Sequence, residues 1–262
     1  KHDRWPCLIG FGLARTETFE NQLDREEEAA LRLGREFDRD MRAMQLWGFS
    51  EVPFDASGRF VLPDHLIDLN RVDGLSQLDA DGDVLVVGAM TRQREIEFSD
   101  LVRERCPLMH EAILQVGHRQ TRNRGTVGGS LSHLDPSAEI PAVCAAQDAV
   151  VRITGAGGER EIPFADFPVA YMTPALAEDE LLTSIRLPLW PRGHGAAFVE
   201  FSRRHGDFAI VAAAALVDLT SDGAMARVSV TVSGVGPAPV RMSAMEEGLV
   251  GIRPSEEAFR DA

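Results

Sequence analysis

The stretch Arg122-Asn-Arg-Gly-Thr-Val-Gly-Gly-Ser-Leu-Ser-His-Leu-Asp-Pro-Ser-Ala-Glu139 carries the most specific pattern in this chain. Gly128 and Gly129 allow a close approach of the backbone to another group. Asp135 is placed to cap a following helix, and Pro136 suits the first turn of that helix. Main-chain amides at such a turn, beside the positive end of a helix, form a site for phosphate. The stretch therefore predicts a tight turn whose amides face a ligand.

Polar side chains surround the same turn. Thr126, Ser130 and His133 add short polar groups, and the carboxylate of Glu139 can accept hydrogen bonds from sugar hydroxyls. This set suits a phosphorylated cofactor that carries a polyol, such as a flavin dinucleotide. On spacing alone, an ordinary tight connection explains the glycine pair more simply. His133 fits equally well as a polar residue near a helix start.

Further segments extend the pattern along the chain in a fixed order. They are His65–Leu75, Val86–Arg92, Pro107–Ala112, Val116–Gly129, Asp179–Pro188, Phe201–Ala209 and Gly234–Arg241. From about Leu66 onward, these segments resemble the FAD-binding medium subunit of the molybdenum hydroxylases, the family of xanthine dehydrogenase and aerobic carbon monoxide dehydrogenase. The resemblance implies an α+β fold. It comprises a PCMH-type FAD-binding domain, incomplete at its N-terminus, and a partial C-terminal domain of antiparallel sheet plus helix.

The resemblance also implies FAD as the cofactor and assigns residues to its site. The cofactor-binding positions are Thr126, Val127, Gly128, Gly129, Ser130, His133, Asp135, Glu139 and Leu181. Neither a catalytic residue nor a metal ligand is assigned. Phe198 matches an aromatic position near the flavin ring, although a core aromatic on a strand is the simpler interpretation. Arg203, Arg204 and Asp207 form a charged turn that either positions the cofactor or bridges at the surface.

The implied function is that of a flavin-dependent oxidoreductase subunit. In such a complex, electrons pass between an iron–sulfur partner and an acceptor, NAD or another, through FAD. The expected partners are an iron–sulfur small subunit and a molybdopterin large subunit. Cys7, Cys106 and Cys144 are isolated and lack Cys-x-x-Cys spacing, which argues against an iron–sulfur or thiolate zinc site within this chain. Cys144 lies in an apolar segment and is predicted to be a buried thiol.

The first quarter of the chain does not fit that family. Residues 1–64 resemble a fragment of MraZ, a DNA-binding regulator, with one copy of its Asp-x-x-x-Arg pattern at Asp55 and Arg59. We expect a helix over Asn21–Trp47 and a hairpin over Val52–Leu62. The expected domains are 1–64 (MraZ-like), 65–190 (second half of the FAD-binding domain) and 195–262 (truncated C-terminal domain). A regulator fragment and a non-functional fusion are the alternative functions.

The family's first glycine loop, of the type Ala-Gly-Gly-x-Ser-Leu, does not precede Leu66. Its loss would remove two or three amide contacts to a charged group, at about 1.5–3 kcal/mol each. The sum of roughly 3–9 kcal/mol corresponds to about a hundredfold to a millionfold in affinity. We therefore predict that the chain binds FAD weakly or not at all. The missing unit should also leave an open sheet edge and an uncovered apolar face.

Composition and charge set the remaining limits. The 262-residue chain has a formal net charge of −14, which works against nucleic-acid or membrane binding except through a local patch or the 1–64 segment. Such a patch is expected at Arg119, Arg122 and Arg124, near a flavin pyrophosphate. The sequence contains no run apolar enough for a membrane span and no basic-then-apolar leader, so a cytoplasmic location is expected.

Periodicity predicts the main helices and strands. Helices are expected at 94–98, 107–116 and 136–146, and strands at 85–88, 150–153 and 181–187. The Pro- and Gly-rich segment 188–195 predicts a domain boundary. Beyond it, residues 197–203, 209–219 and 226–234 suggest three antiparallel strands, although the Ala-rich middle segment also permits a helix.

Overall fold

The computed structural model describes residues 69–262 except 178 and 205, together with Glu27 and Arg32. The chain divides into two units, 1–71 and 72–262. In the first unit, the described residues are Glu27 and Arg32, both helical, and a 3-10 turn, Leu69–Arg71. The expected hairpin, almost all of the expected N-terminal helix and the MraZ-like segment lie outside the described residues. They stay predictions, as does the division into three domains.

Unit 72–262 begins with a five-stranded antiparallel sheet in the order β1-β2-β7-β3-β4. Its strands are β1 (Leu78–Asp81), β2 (Val84–Gly88), β3 (Val150–Gly155), β4 (Gly158–Pro163) and β7 (Leu181–Pro188). A small hairpin, β5 (Pro168–Ala170) and β6 (Thr173–Pro174), follows β4. Leu85 pairs with Leu187 and Val87 with Ile185, and all four are fully buried on one face. The alternation of apolar residues places this face against the core.

The opposite face of this sheet carries ion pairs. Arg186 Nη2 lies 3.5 Å from an Asp81 oxygen, and Arg152 Nη2 lies 2.8 Å from Glu161 Oε1. Both edge strands, β1 and β4, are rich in charged residues, which discourages pairing with another chain. The uncovered apolar face that the sequence led us to expect is therefore not found in this sheet as described.

Six short helices lie between β2 and β3 in the chain, and the fifth of them packs against β2 and β7. They are α1 (Gln93–Phe98), α2 (Asp100–Arg105), α3 (Pro107–Gln115), α4 (Arg119–Arg124), α5 (Val127–His133) and α6 (Glu139–Ala146). Ser99 caps α2 by accepting the amide of Val102 at 3.3 Å, and Pro107 occupies the first turn of α3. Fully buried residues from these helices fill the core, among them Ile96, Leu108, Ile113, Leu131, Ile140 and Val143.

A second antiparallel sheet, in the order β11-β10-β9-β8, follows residue 190. It consists of β8 (Gly195–Phe201), β9 (Val211–Leu219), β10 (Met225–Ser233) and β11 (Val240–Arg241), and α7 (Ser243–Leu249) and α8 (Glu256–Asp261) follow. The three predicted strands are confirmed, and the Ala-rich segment is a strand. Ala212 and Ala214 are buried in β9, whose small side chains permit close packing against α3 and α6. Residues 195–262 are called the C-terminal module below.

Within the described residues, no helix is long and apolar enough to cross a bilayer. The longest of them, α3, has nine residues, against about 20 for a membrane-spanning helix.

Candidate functional site

The glycine pair lies inside a helix. Val127–His133 forms α5, and Thr126 is its N-cap with an extended backbone (φ −123°, ψ 160°). Gly128 and Gly129 therefore occupy the first turn of α5, whereas the sequence predicted a turn that precedes a helix. The prediction was wrong because a separate helix, α5, already starts at Val127, twelve residues before Glu139, the first residue of α6. Thr126 caps α5, a helix that the sequence did not predict.

The first amides of α5 bond to the chain segment that follows β2. The Val127 amide donates to the Thr91 carbonyl at 3.2 Å, and the Gly128 amide donates to the Ala89 carbonyl at 2.7 Å. A Cβ atom at Gly128 would lie 2.6 Å from the Ala89 Cβ atom and 2.8 Å from its carbonyl oxygen. Glycine is thus required here for the contact between α5 and the end of β2.

The next amides are satisfied by the cap. The Gly129 amide donates to Thr126 Oγ1 at 3.0 Å, and the Ser130 amide donates to the Thr126 carbonyl at 3.1 Å. The amides of residues 127–130 are therefore all bonded within the chain. A helix start leaves four amides without a helical partner, and here the cap and the β2 segment supply partners. The expectation that the glycine amides face a ligand is corrected accordingly.

The turn between α5 and α6, residues 134–138, forms the second half of the site. Leu134 ends α5 in the left-handed conformation (φ 50°), which is unfavourable for leucine. Asp135 Oδ1 accepts the Ser137 amide at 2.8 Å, so Asp135 stabilises this turn and does not cap α6. Helix α6 begins at Glu139 with Ala138 as N-cap. Pro136 consequently precedes the helix, which starts three residues later than predicted.

Glu139 is buried at the start of α6, with 5% of its surface exposed. Burial, and to a smaller extent the nearby charges of Glu200 and Asp135, together raise the pKa of its carboxyl to about 7. The desolvated carboxyl therefore holds a proton up to near-neutral pH. In that form it can donate a hydrogen bond as well as accept one.

The C-terminal module adjoins the α5–α6 turn. The His133 ring stacks on Phe208, with centroids 6.4 Å apart and planes 19° from parallel. Phe208 is 57% exposed, so one side of this pair is open to solvent. The Gly234 amide donates to the Pro136 carbonyl at 3.0 Å. Gly234 has φ +82°, and a Cβ atom there would lie 2.4 Å from the Ile210 carbonyl oxygen, so glycine permits this contact.

Of the three arginines of the expected basic patch (Arg119, Arg122 and Arg124), only two are exposed. Arg122 Nε lies 2.9 Å from Glu97 Oε2, and its Nη1 donates to the Val116 carbonyl at 2.9 Å. Both side chains of this ion pair are nearly buried. Arg122 therefore stabilises the helices, and the prediction that it contributes to a phosphate patch is corrected. Arg119 and Arg124 are exposed on α4.

The remaining predicted positions fall on the two sheets. Leu181 is half-buried at the start of β7, a strand that contacts α5. Phe198 is 5% exposed in β8 and belongs to the core, which confirms the simpler interpretation of that aromatic. Arg203, Arg204 and Asp207 line a hollow of about 240 Å³. Small-molecule pockets span about 300–1,000 Å³, so this hollow alone cannot enclose a dinucleotide.

The two described cysteines are buried thiols. Cys106 and Cys144 are free, and burial raises the pKa of Cys106 to about 11 and that of Cys144 still further above its ordinary value. The prediction of a buried Cys144 is confirmed. In the part of the chain that the structure describes, no group of three or more His, Cys, Asp or Glu residues is arranged to hold a metal ion.

Comparison with known proteins identifies the family. The profile of the FAD-binding domain in molybdopterin dehydrogenases matches residues 27–190, more than half of the chain. The chain belongs to this family. A second profile, the C-terminal domain of the carbon monoxide dehydrogenase flavoprotein, matches residues 196–262. These matches confirm the resemblance beyond residue 65, the α+β fold and FAD as the family's cofactor. They do not address the likeness of residues 1–64 to MraZ.

Relatives of this flavin subunit are named as parts of dehydrogenase complexes. The 6-hydroxypseudooxynicotine dehydrogenase complex subunit alpha of Paenarthrobacter nicotinovorans is 39% identical over 203 residues, 78% of this chain and 68% of that protein. The carbon monoxide dehydrogenase medium chain of Hydrogenophaga pseudoflava is 33% identical over 204 residues, 78% and 71% of the two chains. This flavin subunit is therefore an oxidoreductase subunit of the molybdenum hydroxylase family.

A solved structure shares the fold. The carbon monoxide dehydrogenase of Hydrogenophaga pseudoflava, in a form that lacks the Mo-pyranopterin moiety of the molybdenum cofactor, aligns with a TM-score of 0.72 and 31% identity. The alignment covers 83% of this flavin subunit and 71% of that chain. The two-sheet arrangement is thus that of a molybdenum hydroxylase flavin subunit.

The described residues fit FAD in part. Hydroxyls and carboxyls at Thr126, Ser130, Asp135 and Glu139 match a phosphorylated polyol, and the exposed Phe208 ring offers an aromatic surface. The amides of α5, in contrast, are already bonded and do not match a diphosphate. Sequence reasoning missed Phe208 and the carbonyl of Ala89. The only sequence signal for the Ala89 contact was Gly128, since a glycine can indicate a close backbone contact but does not identify the residue on the other side.

Proposed function

We propose that this flavin subunit holds FAD along α5 and the α5–α6 turn, and that electrons pass through it between an iron–sulfur small subunit and an acceptor, NAD or another. A molybdopterin large subunit completes the complex. The observation that carries the proposal is the placement of Thr126 and Ser130 at the start of α5 and of Glu139 at the start of α6, with the exposed Phe208 stacked on His133 at the end of α5. A cytoplasmic location fits this role and stays a prediction.

Each residue of the segment has a physical role in binding. The hydroxyls of Thr126 and Ser130 lie at the positive end of α5 and suit the diphosphate, because they donate hydrogen bonds where the amides do not. Ser130 is half-buried, and its hydroxyl makes no hydrogen bond to another described residue. His133 and Phe208 offer stacked rings beside the turn. Glu139 holds a proton that it can share with a polyol oxygen.

The redox chemistry is that of FAD when it is bound, and the protein supplies binding, orientation and the electrostatic environment. No general base or nucleophile was assigned from the sequence, which agrees with a subunit of this kind.

Quenching of flavin fluorescence during FAD titration of the purified chain tests the proposal. We expect saturable quenching, and Ser130→Ala should weaken binding about tenfold to a hundredfold through the lost bond to a charged group. Ser243→Ala, an exposed serine in the first turn of α7, is the matched control and should bind like the wild type. Absence of saturable quenching in the wild type would contradict the proposal. Equal affinity of the two variants would remove Ser130 from the site.

A further inference from the structure

Helix α6 is held at its C-terminal end by the C-terminal module. Ser229 Oγ, on β10, donates to the Ala146 carbonyl at 2.6 Å. Arg241 Nη1, on β11, donates to the Ala145 carbonyl at 2.8 Å. These carbonyls belong to the last turn of α6, where carbonyl groups have no helical partner and where a cation is favoured by the helix dipole. The C-terminal module thus caps a helix of the FAD-binding region.

Arg241 is itself fixed by two carboxylates. Its Nε and Nη2 donate to the two oxygens of Glu246 at 2.7 and 2.9 Å, and its Nη1 donates to Asp148 Oδ1 at 2.7 Å. Glu246 also accepts the Val230 amide at 2.7 Å, which anchors the ion pair to β10. The hydrogen bonds to Glu246 are the largest cause of the raised pKa of Arg241. The planar guanidinium holds all these partners at once, which a lysine ammonium cannot do.

The N-terminal end of α6 is held by the same strand. Ser229, which bonds to the Ala146 carbonyl, lies in the middle of β10, and the strand ends at Ser233. The next residue, Gly234, donates its amide to the Pro136 carbonyl at 3.0 Å. Pro136 belongs to the α5–α6 turn. One strand of the C-terminal module therefore contacts the chain at both ends of α6. A shift at either end is passed to the other, since the eight-residue helix between them is rigid.

We infer that the C-terminal module sets the position of the α5–α6 turn through α6, and that Arg241 is the positioning residue. Arg241 lies at the opposite end of α6 from the turn, about 12 Å along an eight-residue helix. The consequence for FAD rests on the proposed function, whereas the mechanical coupling does not. Arg241 acts on the site through α6 and touches none of the predicted cofactor-binding residues.

Hydrogen exchange of the full chain without FAD tests the coupling. In Arg241→Gln, the Ser137 and Ala138 amides, which bond to Asp135, should exchange about tenfold faster than in the wild type. The matched control is Arg152→Gln, which removes an arginine that pairs with Glu161 on the first sheet. It should leave these two amides unchanged. Unchanged exchange in Arg241→Gln would overturn the inference.

Two further variants separate positioning from folding. Arg241→Lys keeps the positive charge but loses the planar guanidinium that donates to several partners at once. The two turn amides should therefore still exchange faster than in the wild type. Full recovery with lysine would overturn the role of the guanidinium geometry. Should Arg241→Gln fail to fold, Ser229→Ala removes one cap of α6 and should accelerate the same amides. Unaltered exchange in a folded Ser229→Ala would count against the coupling.

FAD binding gives the functional readout. Arg241→Gln should raise the FAD dissociation constant about threefold to tenfold relative to Arg152→Gln, because the turn is less well positioned. An equal dissociation constant in the two variants would overturn the role of Arg241 in the cofactor site. Suppose that the turn amides exchange faster in Arg241→Gln but that the wild-type chain never quenches flavin fluorescence. This outcome would support the coupling and contradict the proposed function.

Discussion

At the scale of single residues, burial changes the chemistry of Glu139 most. Its carboxyl has a pKa of about 7 in the folded protein, against an ordinary value of 4.5, because desolvation disfavours the charged form. Below pH 4.5 both the folded and the unfolded chain are protonated here, so the residue adds no pH dependence. Between pH 4.5 and 7 only the unfolded chain ionises, and the fold loses roughly 3 kcal/mol. Above the folded pKa the loss is complete.

Glu139→Gln should remove this loss. The free energy of unfolding of the variant relative to the wild type should rise by up to about 3 kcal/mol between pH 4.5 and 7.5, as urea unfolding would measure. Glu159→Gln replaces an exposed glutamate on β4 and should show no such rise. Parallel pH profiles for the wild type and Glu139→Gln would show that Glu139 is not protonated near neutral pH in the folded protein.

Gly128 is a second position where one atom decides the packing. Gly128→Ala would place a Cβ atom 2.6 Å from that of Ala89, so we expect a loss of about 1–3 kcal/mol in the free energy of unfolding. Gly157→Ala is the control, since a Cβ atom there meets nothing within 4 Å. Thermal unfolding should place Gly128→Ala clearly below Gly157→Ala. Equal unfolding temperatures would mean that α5 does not require glycine at this contact.

At the scale of helices and strands, the regular elements follow from the sequence. Strand β7 was predicted at 181–187 and found at Leu181–Pro188, because its apolar residues alternate and a proline ends it. Helix α3 was predicted at 107–116 and found at Pro107–Gln115, because Pro107 opens an apolar periodic segment. These features are local, so the sequence alone reveals them.

Helix α5 illustrates what local patterns do not reveal. It has seven residues, two of them glycines, and glycine disfavours a helix by about 1 kcal/mol each. Its start depends on bonds to Thr91 and Ala89, more than thirty residues away in sequence. The ion pair between Arg122 and Glu97 also joins residues that are distant in sequence. The sequence therefore located the candidate site on residues 126–139, but not the bonds that occupy its amides.

The N-cap of α5 supplies a test at this scale. Thr126→Ala removes the acceptor of the Gly129 amide and should reduce the free energy of unfolding by about 1 kcal/mol. Ser255→Ala removes the equivalent cap of α8, a helix without buried residues, and should have a smaller effect on chemical unfolding. A Thr126→Ala protein as stable as Ser255→Ala would contradict the role of the cap in holding α5.

At the scale of the whole molecule, both sheets of residues 72–262 are linked through helix α6. The alternation of apolar residues predicted the strands of the C-terminal module. It did not predict the hydrogen bonds from this module to α6, because Arg241 and Ala145 are almost a hundred residues apart in sequence. The module leaves Phe208 exposed beside His133 and brings Glu200 close to Glu139. Neither contact has a signature in the sequence, since both depend on how the two sheets meet.

We expect the described site to bind FAD weakly, because it supplies only part of the contacts that the cofactor needs. The α5 amides are bonded within the chain, and residues 1–65 contain no Ala-Gly-Gly-x-Ser-Leu loop. The two or three amide contacts of such a loop correspond to roughly 3–9 kcal/mol of binding free energy. Binding should therefore saturate only at high FAD concentration, and the bound cofactor should dissociate readily.

The most direct test is the flavin absorbance of the purified 262-residue chain after incubation with excess FAD and desalting. We predict a flavin content far below one FAD per chain in the desalted protein, although the same sample quenches FAD fluorescence before desalting. Retention of one FAD per chain would contradict this account. It would mean that the α5 amides or other donors hold the diphosphate as firmly as a complete site does.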